Sequence, residues 1–263
     1  MNMNVFYGIL IPFLGTSLGA ACVFFMKNTL SDKIQRALTG FAAGVMVAAS
    51  VWSLIIPAID QSASMGKLSF LPAAIGFWIG ILFLLLLDHI IPHLHQNSDQ
   101  AEGPKSKLQR TTMMVLAVTL HNIPEGLAVG VAFGALKNGG YTPEALMGAV
   151  TVAVGIGLQN FPEGAAVSLP LRREGCSRRK SFFIGQASGF VEPIAGVLGA
   201  LLAVYVEAVL PFALSFAAGA MILVAVHELI PECQRNQKAQ PYAATMGIVT
   251  GFALMMLLDV MLG

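Results

Sequence analysis

LSFLPAAIGFWIGILFLLLLDHIIP, residues 68–92, decides the fold. From Leu68 to Leu87 no side chain is ionisable. A membrane-spanning helix needs about 20 mostly apolar residues. The stretch is continuous in its hydrophobicity and lacks the alternation of a barrel strand. Outward from it, comparable segments lie at about 4–26, 35–57, 110–135, 145–171, 182–206, 209–231 and 240–262. The whole chain has 263 residues, 56% hydrophobic and 11% charged. An average soluble domain carries roughly 25% charged residues, so an ordinary soluble enzyme is excluded. Disorder is excluded too, because it requires low hydrophobicity and high charge. An all-α membrane bundle of eight spans remains, with short loops, one domain over 1–263 and no room for a separate soluble domain.

Cys22, Cys176 and Cys233 form no CxxC pair and give no disulfide framework. The first span lacks a basic leader and a small-residue cleavage site, so it is read as a span and not as a signal peptide. A net charge of +1 gives no reason to expect a nucleic-acid partner. The placement of charge is more informative. With the N-terminus outside, the cytoplasmic loops and their edges hold Lys27, Lys33, Arg36, Lys105, Lys107, Arg110, Arg172, Arg173, Arg178, Arg179, Lys180, Arg235 and Lys238, while the other side holds Lys67 and Lys137. Thirteen against two is a positive-inside bias that puts both termini outside. The basic run from Arg172 to Lys180 is read as part of this topology signal; anionic lipid binding is the alternative. The lipid bilayer is the one extended partner implied, and a homodimer is left open. GFAAGVMVAAS, VAVGIGLQN and FAAGA place small residues at helical spacing, which lets helices approach closely in lipid.

The acids behave differently from the bases. Asp88, Glu125, Glu163, Glu192, Glu228 and Asp259 fall within or at the ends of apolar spans, with His121 and His227. A charge at the bilayer centre costs about 2.5 kcal/mol or more. Without Lys or Arg beside them, these acids must be protonated, face water or bind a cation.

HNIPEG, residues 121–126, and QNFPEG, residues 159–164, share N-x-P-E-G on consecutive spans. His121 and Glu125 are i and i+4, and so are Gln159 and Glu163, so each pair shares a helix face. The two faces offer an imidazole nitrogen, two carboxylates and an amide oxygen, a set suited to zinc and similar divalent ions. Pro124 and Pro162 should free the carbonyls of Leu120 and Leu158, and the following glycines permit unwinding or close packing. A hydrogen-bonded polar pair on kinked helices is the plainer reading.

Glu192 precedes Pro193 and is either a third ligand or a carboxyl bonded to backbone. His227 and Glu228, with Glu232 a turn on, either line a release path or form a solvated helix end. HELIP has proline where HExxH requires its second histidine, which counts against an intramembrane zinc protease. Asp88, His89, His93 and His95 gather at the end of the third span, with His89 and His93 at i and i+4, as a metal-collecting cluster or an exposed helix end. Asp259 is read as a satisfied helix-end acid.

At these motifs the chain resembles the ZIP (Zrt-, Irt-like) family of divalent metal transporters, most closely its bacterial GufA-like branch. The resemblance covers essentially the whole chain. It implies a 3+2+3 inverted-repeat bundle in which the first and last three spans surround the fourth and fifth, with substrate at the midplane. It implies a binuclear site: His121, Glu125, Gln159 and Glu163 for one metal, with Met46 nearby, and Asn122, Asn160 and Glu192 for the second, bridged by Glu125 or Glu163. Many relatives have Asp at the position of Asn160, so the second metal's affinity is in question here. His227 and Glu228 match positions along the family's release path.

The expected activity is zinc import into the cytoplasm across a cell membrane, read as a bacterial inner membrane, by alternating access. Cd²⁺, Fe²⁺, Mn²⁺ and Co²⁺ are further candidate substrates. No enzymatic activity and no catalytic cofactor are expected. His121 must be neutral to bind metal, so uptake should fall as external pH drops. A proton-coupled cation antiporter using the same carboxylates is the alternative.

Overall fold

The computed structural model describes residues 3–26, 30–94, 103–104, 109–139, 142–173, 175–205, 207–235 and 242–262. Among them lie eight helices long and apolar enough to cross a membrane: α1 Met3–Phe25, α2 Asp32–Gln61, α3 Phe70–Ile90, α4 Thr112–Lys137, α5 Pro143–Arg173, α6 Arg178–Val204, α7 Leu210–Gln234 and α8 Ala243–Leu262. The described residues contain no regular β-sheet.

Two helices run past the proline at which the sequence reading ends their spans. In α2 a π turn at Ser50–Ile55 precedes Pro57, and the chain continues helically to Gln61. In α7 a π turn at Ala225–Leu229 precedes Pro231, and the helix continues to Gln234. Proline lacks an N–H and clashes with the carbonyl one turn back. A widened turn at that point accommodates both defects. α3 stops at Ile90, short of the expected 92, and the Ile91 N–H closes it on the Leu87 carbonyl at 2.9 Å.

Four close helix pairs build the bundle: α1 with α5, α4 with α6, α2 with α8, and α3 with α7. Glycine makes each pair possible. A Cβ at Gly15 would collide with the Gly157 carbonyl of α5, one at Gly130 with the Gly196 carbonyl of α6, one at Gly44 with the Ile248 carbonyl of α8, and one at Gly80 with the Phe216 carbonyl of α7. Exchanging α1 with α6, α2 with α7, α3 with α8 and α4 with α5 turns this set of pairs into itself. This is the pairing of a 3+2+3 repeat. FAAGVM at 41–46 and FAAGAM at 216–221 sit 175 residues apart, and the two π turns follow at the same offset. The strings had suggested tight packing alone; together with the π turns they mark α2 and α7 as repeat-related.

Buried side chains fill the space between the pairs, while Trp78, Leu82, Leu86, Leu257, Val260 and Met261 are exposed on α3 and α8. Such apolar outer faces suit lipid. The helices alternate in direction. One end carries Lys33, Arg36, Arg110, Arg172, Arg173, Arg178, Arg179, Lys180 and Arg235, and is called the basic end; the opposite, terminal end carries Lys67 and Lys137. Lys27, Lys105, Lys107 and Lys238 lie outside the described residues.

Candidate metal site

The glycine of each N-x-P-E-G motif brings a neighbouring helix against it. A Cβ at Gly126 would collide with the Glu192 carbonyl of α6, and one at Gly164 with the Thr16 carbonyl of α1. Of the two roles open to these glycines, close packing is the one realised: α4 and α5 stay helical through Pro124 and Pro162. The two visiting helices then meet each other. The Thr16 hydroxyl of α1 donates to Glu192 Oε1 at 2.9 Å.

Glu125, Gln159, Asn160, Asn122 and Glu192 are buried at the resulting junction, and Glu163 is partly buried beside it. Gln159 Nε2 donates to Glu125 Oε1 at 2.7 Å, joining the two motifs directly. Asn122 Nδ2 donates to the Ser188 carbonyl at 3.0 Å, and Asn160 Nδ2 to the Pro12 carbonyl at 3.5 Å. Each amide thus spends its N–H on protein and keeps its oxygen. Asn122 Oδ1, Glu125 Oε2, Gln159 Oε1, Asn160 Oδ1, Glu163 Oε2 and Glu192 Oε2 are buried without a hydrogen-bond partner. Buried oxygens are nearly always satisfied. Six acceptor atoms from the expected ligand residues, with no buried Lys or Arg among the described residues, form an oxygen-rich set that fits a hard or borderline cation.

His121 is engaged by a different helix. Its Nε2 lies 2.6 Å from Glu228 Oε2 in the π turn of α7. Among the described residues no three His, Cys, Asp or Glu side chains converge at metal-binding spacing. The reason is visible in the pairing: His121 is held by Glu228, and the partners nearest Glu125 include amides. Met46 is fully buried on α2.

A cavity of about 80 Å³ opens beside His121, Glu163 and Glu228 and reaches Thr39 and Glu232. Thr39 and Glu232 also border a polar chamber of about 480 Å³ at the basic end, lined by Asp32, Gln35, Arg36, Cys233 and Arg235. A cavity at the terminal end, lined by Gln61, Ser62, Ala135 and Leu210 among others, includes no site residue.

The outlying histidines separate. His227 is exposed, although its neighbour Glu228 is buried. His89 is exposed on α3, whereas His93 lies beyond the helix, buried, with Nδ1 2.8 Å from the Ile91 carbonyl and Nε2 3.9 Å from Asp88 Oδ1. The i, i+4 relation of His89 and His93 is lost because α3 ends between them. His95 lies outside the described residues.

Two polar contacts were not anticipated. Thr16 was overlooked, although a hydroxyl in an otherwise apolar span was its signal. Asp259, set aside as a helix-end acid, accepts from Ser53 Oγ at 2.6 Å across α2 and α8.

Residues 96–259 match the family model described as ZIP zinc transporter. The chain is 36% identical to human zinc transporter ZIP11, covering 100% of this chain and 99% of that one. It is 37% identical to zinc transporter ZIPB of Bordetella bronchiseptica, over 100% of this chain and 83% of that one. Zinc transporter GufA of Myxococcus xanthus is 38% identical over 94% of each chain.

Proposed function

Because this chain belongs to the ZIP zinc transporter family, a family of multi-pass membrane metal transporters, we propose that it imports zinc, moving the ion from the terminal end to the basic end. The observation that carries this reading is the set of buried, unpartnered oxygens on the paired N-x-P-E-G motifs, with no buried Lys or Arg among the described residues to answer their charge. Glu125, Gln159 and Glu163 would hold the first ion, with His121 and Met46 as softer donors. Asn122, Asn160 and Glu192 would hold a second. The amides already anchored to backbone carbonyls keep their oxygens turned to the ion without further ordering. The nitrogen and thioether favour Zn²⁺ and Cd²⁺ over Ca²⁺ and Mg²⁺; Fe²⁺, Mn²⁺ and Co²⁺ are further substrates to test.

Release follows from the partner of His121. When the ring is bonded to Glu228 it is withdrawn from the ion, and the adjoining cavity leads past Thr39 and Glu232 to the basic end. The basic end is cytoplasmic by the positive-inside rule, and import would then run across a cell membrane, in bacteria the inner membrane. Reconstitution into proteoliposomes tests this. Zinc uptake should be saturable in the parent chain and abolished by Glu125→Ala and by His121→Ala, with both variants inserted normally. Parent-like uptake in both variants would overturn the site. Recording internal pH in the same vesicles tests antiport: uptake that requires an opposing proton gradient would favour it.

A further inference from the structure

On the terminal side of the site, α5 and α8 meet at one close contact. Met255 of α8 is fully buried, and its Sδ is seated directly on Gly155 of α5, where a Cβ would collide with it. Gly155 is one helical turn from Gln159, on the same face and on the terminal side. One turn further out is Thr151, whose Oγ1 is buried without a partner. Along α8, Asp259 lies one turn outward of Met255 and bonds Ser53 of α2 at 2.6 Å. Polar groups therefore stand above and below Met255: Thr151 and the Ser53–Asp259 pair towards the terminal end, Gln159 and Glu125 towards the centre. A thioether against a glycine, with polar groups one turn away on either side, is unlike the apolar packing of an ordinary core.

We infer that Met255 closes the transport path on its outer side and is the soft donor that an incoming ion passes before it reaches Gln159 and Glu125. This rests on the import reading above. Methionine suits both tasks. Its unbranched side chain moves between rotamers easily, and its sulfur prefers Cd²⁺ to harder ions. Glycine at 155 gives the sulfur its seat.

Two readouts test the inference. In a background with Cys22, Cys176 and Cys233 replaced by alanine, Gln159→Cys, which lies on the inner side of Met255, is treated from outside with a membrane-impermeant thiol reagent. Labelling should be slow when Met255 is present, severalfold faster with Met255→Ala, and slow again with Met255→Leu, which conserves volume. Separately, Met255→Leu should lower the ratio of Cd²⁺ to Zn²⁺ uptake severalfold, because it retains the plug and removes the sulfur. Equal labelling with methionine and alanine overturns the plug, and an unchanged uptake ratio in Met255→Leu overturns the donor. The labelling arm needs no metal flux, so a parent chain that carries no metal would refute the import reading while leaving the plug measurable.

Discussion

Asn160 bears on the charge of the proposed site. Its amide lies beside both Glu125 and Glu192, and its Nδ2 is committed to the Pro12 carbonyl. An amide there offers an oxygen without a negative charge. Asn160→Asp would add a carboxylate among two others, and affinity for divalent ions rises with ligand charge. Uptake kinetics should show a lower KM for zinc together with a lower kcat, since an ion held more tightly leaves more slowly. A higher KM would contradict this assignment. Glu228 is expected to act in the opposite sense. If it draws His121 away from the ion, Glu228→Gln should reduce kcat severalfold while changing KM little; a rise in KM alone would mean that Glu228 binds on the way in. The i, i+4 spacing within each motif was legible because it is local. The contact between His121 and Glu228 was not, because the two lie 107 residues apart and meet only through the α4–α7 packing.

At the level of helices, glycine position decides which pairs form. In α4, Gly130 faces the Gly196 backbone of α6, and neither backbone can turn aside as a side chain does. Overpacking of a tight interior costs about 1–3 kcal/mol. Gly130→Val should therefore lower the melting temperature in detergent and reduce zinc uptake, since the same pair carries Glu125 and Glu192. Gly148→Ala provides the contrast, because nothing lies within 4 Å of its added Cβ, and melting there should be unchanged or slightly higher. Equal melting of the two variants would mean that helix pairing does not depend on glycine contact. The eight spans were legible to within a few residues because each is a long apolar run. The extensions of α2 and α7 were not, since a proline ordinarily ends a helix and the π turns that absorb Pro57 and Pro231 leave no mark in hydropathy. The recurrence of FAAG-x-M was the available signal, and it became informative once both copies were seen to lead into a π turn.

Across the whole molecule, charge and cavity point the same way. The basic residues gather at one end, and the cavity beside His121, Glu163 and Glu228 shares Thr39 and Glu232 with the polar chamber at that same end. The positive-inside asymmetry could be read from composition, but the side on which the site opens could not, because it depends on how the two repeats lean on each other. Alternating access requires that this opening and the one sealed at Met255 are not available together. The Thr39 side chain borders both the inner cavity and the chamber, so a cysteine there reports the inner opening directly. With the native cysteines replaced by alanine, Thr39→Cys should react with an impermeant thiol reagent in inside-out vesicles and remain unlabelled in right-side-out ones. Adding Gly155→Ala pushes the Met255 sulfur off its seat and should favour the outward-open arrangement, so labelling of Thr39→Cys from the cytoplasmic face should slow as labelling of Gln159→Cys from outside quickens. If both rates rose together, the two openings would be independent and the protein would conduct as a pore; if only the outer rate rose, Met255 would be a plug uncoupled from the inner opening. Reciprocal change is the outcome that ties the thioether at one end to the carboxylates at the other.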